Sequence, residues 1–306
     1  MRRRRSLAIA SALLIGAALV AAGCGVGPGS GVGEVSLTVT QDYGFRRVQQ
    51  PTTDEVSESD TVMRVLERNA KISTRYGGGF VGSIDSVSEA VRDGRHYDWF
   101  FYVNGLESPV GAADFALHGG EAIWWDYRDW SAASRVPAVV GAWPQPFLAG
   151  YEGRRAPVSV DCRGRPAACA AVRDALGRVG VAPASGSPSG AIRILVGPWA
   201  RLRGDAAAAQ LERGPQASGV FADFARRAGR FVLRGLDEGG DVVRDFGAGA
   251  GLVAATRRYD APPVWLITGA TAEGVRAAAD LLDAAELRDH YAVATEGGQQ
   301  EPLPVR

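Results

Sequence analysis

Residues 97–130 read YDWFFYVNGLESPVGAADFALHGGEAIWWDYRDW. They hold Tyr97, Trp99, Phe100, Phe101, Tyr102, Phe115, Trp124, Trp125, Tyr127 and Trp130, ten of the 25 aromatic residues (10 Phe, 7 Trp, 8 Tyr) in a chain of 306. The runs DWFFYVN and EAIWWDY read as two strands, and Asn104-Gly105 after the first is a strong turn signal. Side chains alternate across a strand. Trp99, Phe101 and Val103 therefore share one face, as do Ile123, Trp125 and Tyr127; Phe100 and Tyr102 share the other, as do Trp124 and Asp126. The set with the aliphatic Val103 and Ile123 is the expected core side, packed on a helix that carries Val62, Val65, Leu66 and Ala70. The second face has two readings. Open to solvent, its flat rings with few rotors form a recognition platform. Covered by residues 131–156 or by a second domain, they are core.

Upstream, residues 35–40 (VSLTVT) alternate as a strand, residues 41–56 are polar, and Ser59 is placed to cap the helix. Tyr76-Gly77-Gly78-Gly79 turns into a short strand, FVGSI. Strand, helix and three further strands within residues 34–130 make a compact α+β domain. Residues 131–156 are rich in Pro and Gly and read as a connection, with one short strand at 138–143. Residues 157–296 alternate strands and helices as a mixed α/β domain. Its strands lie near 157–161, 191–196, 264–268 and 291–294, its helices near 166–179, 206–211 and 271–283. A three-strand antiparallel meander spans 220–246. The tail, 297–306, is polar and reads as loose.

The N-terminus sets the expected address. Arg2, Arg3, Arg4 and Arg5 precede an apolar run at 7–20, then Ala21-Ala22-Gly23-Cys24. That order is the layout of a secretory signal, and the run is short of the about 20 residues a spanning helix needs. The segment resembles a bacterial lipoprotein signal, which implies cleavage after residue 23 and a lipid on Cys24. Arg4-Arg5-Ser6-Leu7 also partly resembles a twin-arginine signal, so either export route fits. Residues 24–33 are Gly-rich and uncharged, as a flexible tether is.

The formal charge is zero, with 34 basic and 34 acidic residues. Removing residues 1–23 takes four Arg and no acid, leaving 30 basic and 34 acidic residues, net −4. That balance argues against nucleic acid, which calls for a basic footprint. Cys162 and Cys169 form an even remainder in an exported chain and are read as a disulfide; two unpaired thiols are the rival reading. His96, His118 and His290 are scattered, with no metal-ligand spacing. The lone Lys71 follows no Gly-rich turn, and no G-x-S-x-G elbow occurs. Gly247-Ala248-Gly249-Ala250-Gly251 reads as a turn between strands and Thr271 as a helix N-cap, with an anion site there as the alternative. No residue pattern makes a case for catalysis, and no enzyme activity or cofactor is expected.

Four strings carry a resemblance: Thr61-Val62-Met63-Arg64-Val65-Leu66; Gly79-Phe80-Val81 with Ser83-Ile84; Trp99 to Asn104-Gly105; and Gly119-Gly120-Glu121 with Ile123, Trp125 and Tyr127. Together they resemble the transcobalamin C-terminal-like domain over residues 34–130. The resemblance implies a β-grasp-like fold that binds a soluble ligand. In the animal carriers this domain covers cobalamin held against a helical barrel, and no such barrel is visible in this sequence. The expected protein is an α+β surface lipoprotein on the outer face of the cell membrane. It binds a small ligand, a corrinoid being the candidate, and presents it to an importer or a helical-barrel protein. The expected ligand-binding residues are Phe100, Tyr102, Trp124 and Asp126, with Asn104 and Gly105 at the rim. The alternative is an interaction module of the envelope without a small ligand.

Overall fold

A computed structural model describes residues 31–151 and 153–306. The expected signal, Cys24 and the start of the tether lie outside the described residues. The fold is mixed α/β and mostly β, with several sheets and few helices.

The N-terminal sheet grows from one parallel pair. Strand Gly31–Gln41 runs parallel to Ala122–Asp129, with Leu37 opposite Ile123 and Val39 opposite Trp125. A parallel pair needs a crossover, and helix Val62–Asn69 lies within it. Ala122–Asp129 then pairs antiparallel with Arg95–Val103, setting Trp125 opposite Phe101 and Asp126 opposite Phe100. The period-two reading holds on the first face. Val35, Leu37, Val39, Trp99, Val103, Ile123, Trp125 and Tyr127 pack with Val62, Met63, Val65 and Leu66.

Local details depart from expectation for identifiable reasons. Thr61, not Ser59, caps the helix: its backbone is extended and its hydroxyl accepts from the Arg64 N–H at 3.4 Å. The polar stretch hides a strand, Thr52–Ser57, on the outer side of Gly31–Gln41. A strand at that edge keeps one side in water, so it carries no apolar alternation. Gly31 and Gly33, assigned to the tether, already pair with that strand.

The C-terminal sheet has six strands in the order Val158–Cys162, Ile192–Pro198, Val264–Gly269, Gly251–Thr256, Ala292–Glu296 and Gln299–Leu303. The first three are parallel and the rest antiparallel. Helices Pro166–Arg178 and Ala272–Asp280 cover one face through Val172, Leu176, Val275 and Ala279. Pro166 stands in the first helical turn, where a missing N–H costs nothing, and Thr271 caps its helix as read, accepting from Gly274 N–H. Cys162 and Cys169 are disulfide-bonded, with Cα atoms 5.9 Å apart. The meander Ala222–Arg227, Arg230–Leu236 and Val242–Asp245 is present.

Three expectations in this half are corrected. The turn at 247–250 leads straight into the buried strand Gly251–Thr256, which sequence reading passed over. No strand forms at 138–143; Val136, Val139 and Val140 are instead buried, and Val139 N–H bonds the Gly105 carbonyl. The tail is not loose: Gln299–Leu303 closes the sheet, with Leu303 and Val305 buried. Its polar Gln-Gln-Glu suits an edge strand, wet on one side.

One apolar cluster joins the two sheets. Tyr43, Tyr102 and Trp124 from the first pack with Phe221, Leu252, Leu266, Tyr291 and Ala294 from the second half. Gly44, at φ +87°, sits at this seam, and a Cβ there would stand 1.8 Å from the Asp289 carbonyl oxygen. Gly94, at φ +76°, has nothing within 4 Å. Gly94→Ala is therefore expected to cost only the backbone strain of about 1 kcal/mol, while Gly44→Ala costs roughly 3 kcal/mol or more. Urea midpoints of the two variants check this, and equal losses would show that the seam is not packed.

Candidate functional site

The face expected to bind ligand is covered. Its alternation is as read, but Tyr102 and Asp126 are fully buried and Trp124 nearly so. The Tyr291 ring meets Trp124, Tyr102 and Tyr43 edge-on at 5.3, 5.7 and 5.0 Å. The Tyr291 hydroxyl donates to Asp126 Oδ2 at 3.0 Å and lies 3.1 Å from the Tyr102 hydroxyl. Trp124 Nε1 donates to Thr40 Oγ1 at 2.7 Å. The platform reading of Tyr102, Trp124 and Asp126 is thus replaced by the core reading, while Phe100, packed against the same cluster, stays half-buried. An apolar sheet face 131–156 and the C-terminal sheet can cover does not stay in water.

Asn104 and Gly105 are structural too. Asn104 Nδ2 donates to the Gly150 carbonyl at 2.7 Å, and its Oδ1 accepts from Ala122 N–H at 2.8 Å. At Gly105, φ is +77° and the Val139 carbonyl oxygen would lie 2.8 Å from a Cβ. The turn is a packed tie, not a rim.

Two charges are buried in the seam. Asp126 accepts from Thr40 Oγ1 at 2.5 Å, Tyr43 N–H at 2.9 Å, Gly44 N–H at 3.1 Å and Tyr291. Arg128 lies 3.8 Å over the Phe100 ring and donates to the Ala133 carbonyl at 2.7 Å. Burial opposes its charge, but the surrounding Tyr102, Tyr291, Tyr43 and Glu107 hold its pKa above the ordinary value.

Of several open concavities, the most apolar in its lining is at the outer edge of strand Arg95–Val103. A cleft of about 400 Å³ is lined by Phe80, Phe101, Trp125, Trp130, Val110 and Asp98, among others. Of the residues expected to bind ligand, only Phe100 lines it. Strand Phe80–Ile84 and the loop after Glu107 form its walls. Two apolar side chains of its lining stand exposed, Phe80 at 38% and Val110 at 46%, and the Tyr76 ring, at 88%, lies edge-on to Phe80. Trp125 Nε1 is buried without a hydrogen-bond partner among the described residues. Burial raises the Asp98 and Glu107 carboxyls above their usual range. Arg135 approaches Glu107 only to 3.7 Å. The arrangement can hold a flat or bulky apolar group and favours a neutral or basic ligand.

Sequence reading assigned Phe101 and Trp125 to the core and Phe80 to a strand. The signal for the cleft was Tyr76-Gly77-Gly78-Gly79-Phe80, two aromatics across a triple glycine, which a structural turn does not require.

Residues 59–129, which supply much of the cleft, match the family described as a domain of unknown function, DUF4430. Two solved structures are similar to part of the chain. One is described as a "putative metal binding protein from Ruminococcus gnavus ATCC 29149", 16% identical with a TM-score of 0.24, the likeness covering 32% of this chain and 97% of that one. The other is haptocorrin in complex with Cbi, 13% identical with a TM-score of 0.24, covering 32% of this chain and 26% of haptocorrin. No curated protein matches the chain.

Burial pushes the Asp126 carboxyl up to about 6, against the bonds from Thr40, Tyr291 and Gly44 that favour ionisation. Unfolded, the group ionises near 4. Between about pH 4 and 6 the unfolded chain releases this proton first, so this contribution to stability falls as pH rises through that window. Asp126→Asn should lack that fall. It should also lose about 1–3 kcal/mol at pH 4, because its amide faces N–H donors. Urea midpoints of both proteins at pH 4 and 6.5 check this, and parallel pH slopes would rule the assignment out.

Proposed function

We propose that this is an exported, lipid-anchored binding protein whose ligand enters the aromatic cleft beside strand Arg95–Val103. The observation that carries the reading is an open cleft lined by Phe80, Phe101, Trp125 and Trp130, with Phe80 and Val110 exposed at it. Its volume is at the low end of the roughly 300–1,000 Å³ usual for small-molecule sites. It suits one flat, partly apolar group, or one edge of a larger ring system. A corrinoid is the first ligand to test, presented to an importer or a helical-barrel partner.

We infer no enzymatic role and no bound cofactor. The lipid on Cys24, the cleaved signal at 1–23 and the position on the outer face of the membrane belong to the same proposal. So does a β-grasp-like unit at 34–130 followed by a mixed α/β unit at 157–296. Parallel pairing of Gly31–Gln41 with Ala122–Asp129, with helix Val62–Asn69 in the crossover, supports the first of these. The exposed apolar rim favours a second reading, an interaction module that docks another envelope protein.

Titration of the exported protein with cyanocobalamin and, separately, with the neutral flat dye Nile red is the test. Binding of at least one, followed by tryptophan fluorescence, is expected. Phe80→Ala should weaken it about tenfold or more, since burying a Phe side chain is worth roughly 1.5–3 kcal/mol. Quenching by neither, or quenching that Phe80→Ala leaves unchanged, refutes the cleft as a small-molecule site. For the anchor, palmitate labelling lost in Cys24→Ala is the expected outcome; retained labelling rejects it.

A further inference from the structure

The cleft lies along a gap in a β-ladder. Strand Arg95–Val103 is paired along its inner edge with Ala122–Asp129 from Tyr97 to Val103. Its outer edge is paired only at the ends. Ala90–Arg92 covers it as far as Tyr97, and Leu106–Glu107 resumes at Tyr102. Among the described residues no strand pairs with the outer edge of residues 98–101.

The backbone groups in that gap can be assigned. Arg92 faces Arg95 across the two-residue loop Asp93-Gly94, and Val103 faces Leu106 across Asn104-Gly105. Such two-residue hairpins close on a hydrogen-bonded pair, and in an antiparallel ladder the bonded direction alternates. Both hairpins give the same answer: Arg95, Tyr97, Trp99, Phe101 and Val103 point their N–H and C=O outward. The Trp99 N–H is taken by the Asp98 carboxylate at 2.8 Å. That leaves the Trp99 carbonyl and the Phe101 N–H facing the cleft, in line and at strand spacing; the pairing of Tyr102 with Glu107 turns the Phe101 carbonyl toward the Ser108 N–H. Side chains from both faces of the sheet line the same cavity: Trp99, Phe101 and Trp125 from one, Asp98 and Phe100 from the other. A concavity centred on a strand edge and walled from both faces is where an added strand lies.

We infer that the cleft binds an extended peptide segment of another polypeptide, added as a short strand to residues 98–101. This rests on the cleft being the binding site and on the second reading, an interaction module, and names the class of its occupant. Main-chain pairing to Phe101 supplies register, and alternate side chains supply specificity. One large apolar side chain of the peptide packs against Phe80, Phe101 and Val110. The segment is neutral or basic, because Asp98 and Glu107 make the cleft acidic. At about 3.3 Å per residue, the gap takes three or four residues.

The test is to pan a phage library of random dodecapeptides on the full exported protein in detergent and to synthesise the enriched sequence. Binding is expected to fall at least tenfold in Phe80→Ala and in Val110→Ala. Both side chains are exposed, so the variants should melt like wild type. N-methylation along the peptide should abolish binding at the one residue whose N–H meets the Trp99 carbonyl and spare its two neighbours. The Phe101 amide should also become protected from hydrogen exchange on binding. Absence of any enriched peptide that depends on Phe80, or N-methylation tolerated at every residue, overturns the inference. Nile red separates the two failures. If the dye binds in a Phe80-dependent manner and no peptide does, the cleft stands as a site and the peptide class is wrong; if neither binds, both readings fall.

Discussion

The Asp126 carboxylate is the point on which both halves of the molecule are fastened. Three of its donors, the Thr40 hydroxyl and the Tyr43 and Gly44 amides, come from the N-terminal sheet and the turn that leaves it; the fourth, the Tyr291 hydroxyl, comes from the C-terminal half. A buried acceptor with missing donors is costly, so this one holds its neighbours in place. Gly44 must then pass close to Asp289, and Tyr43 must lie edge-on to Phe221 and Tyr291. At the surface Arg47 pairs with Asp289 at 2.6 Å. That exposed pair adds little by itself; the seam is held by rings and by a satisfied buried charge.

Burying the second aromatic face leaves the N-terminal sheet covered on both sides. Phe100, Tyr102 and Trp124 then act as core, with Arg128 stacked on Phe100 where sheet and connection meet. A sheet without a free face can recognise something only at an edge or through its loops. Here the edge of Arg95–Val103 is interrupted between two hairpins, and the Tyr76–Phe80 turn and the loop after Glu107 rise beside the interruption. Aromatic density at 97–130 therefore serves two ends. Most of it joins the layers, and Phe101, Trp125 and Trp130 also line the opening.

Most elements were legible because they rest on local chemistry. The alternation in DWFFYVN and EAIWWDY, the Asn104-Gly105 turn, the Thr271 cap and the Pro166 helix start all follow from a few neighbouring residues. So does the disulfide, since Cys162 and Cys169 are seven apart across a short loop. Among the elements that escaped were Thr52–Ser57 and Gln299–Leu303, polar because one side of each is wet, Gly251–Thr256, masked by the glycines before it, and the short hairpin strands Ala90–Arg92 and Leu106–Glu107. Of the expected ligand-binding residues, the shared face of Phe100, Tyr102, Trp124 and Asp126 was read correctly and its exposure was not.

What the sequence determined by itself is which side chains stand together, because a strand's period of two is a property of the backbone at each residue. What only the tertiary structure decided is which of those faces meets water. Tyr291 closes over Asp126 from 165 residues away. Nothing in the residues around 126 encodes the arrival of that ring. The free edge is likewise an outcome of topology: residues 98–101 are like any other strand until the hairpins on either side stop short of them. Burial and exposure depend on distant surfaces meeting, and the cleft exists because, at this one edge, they do not.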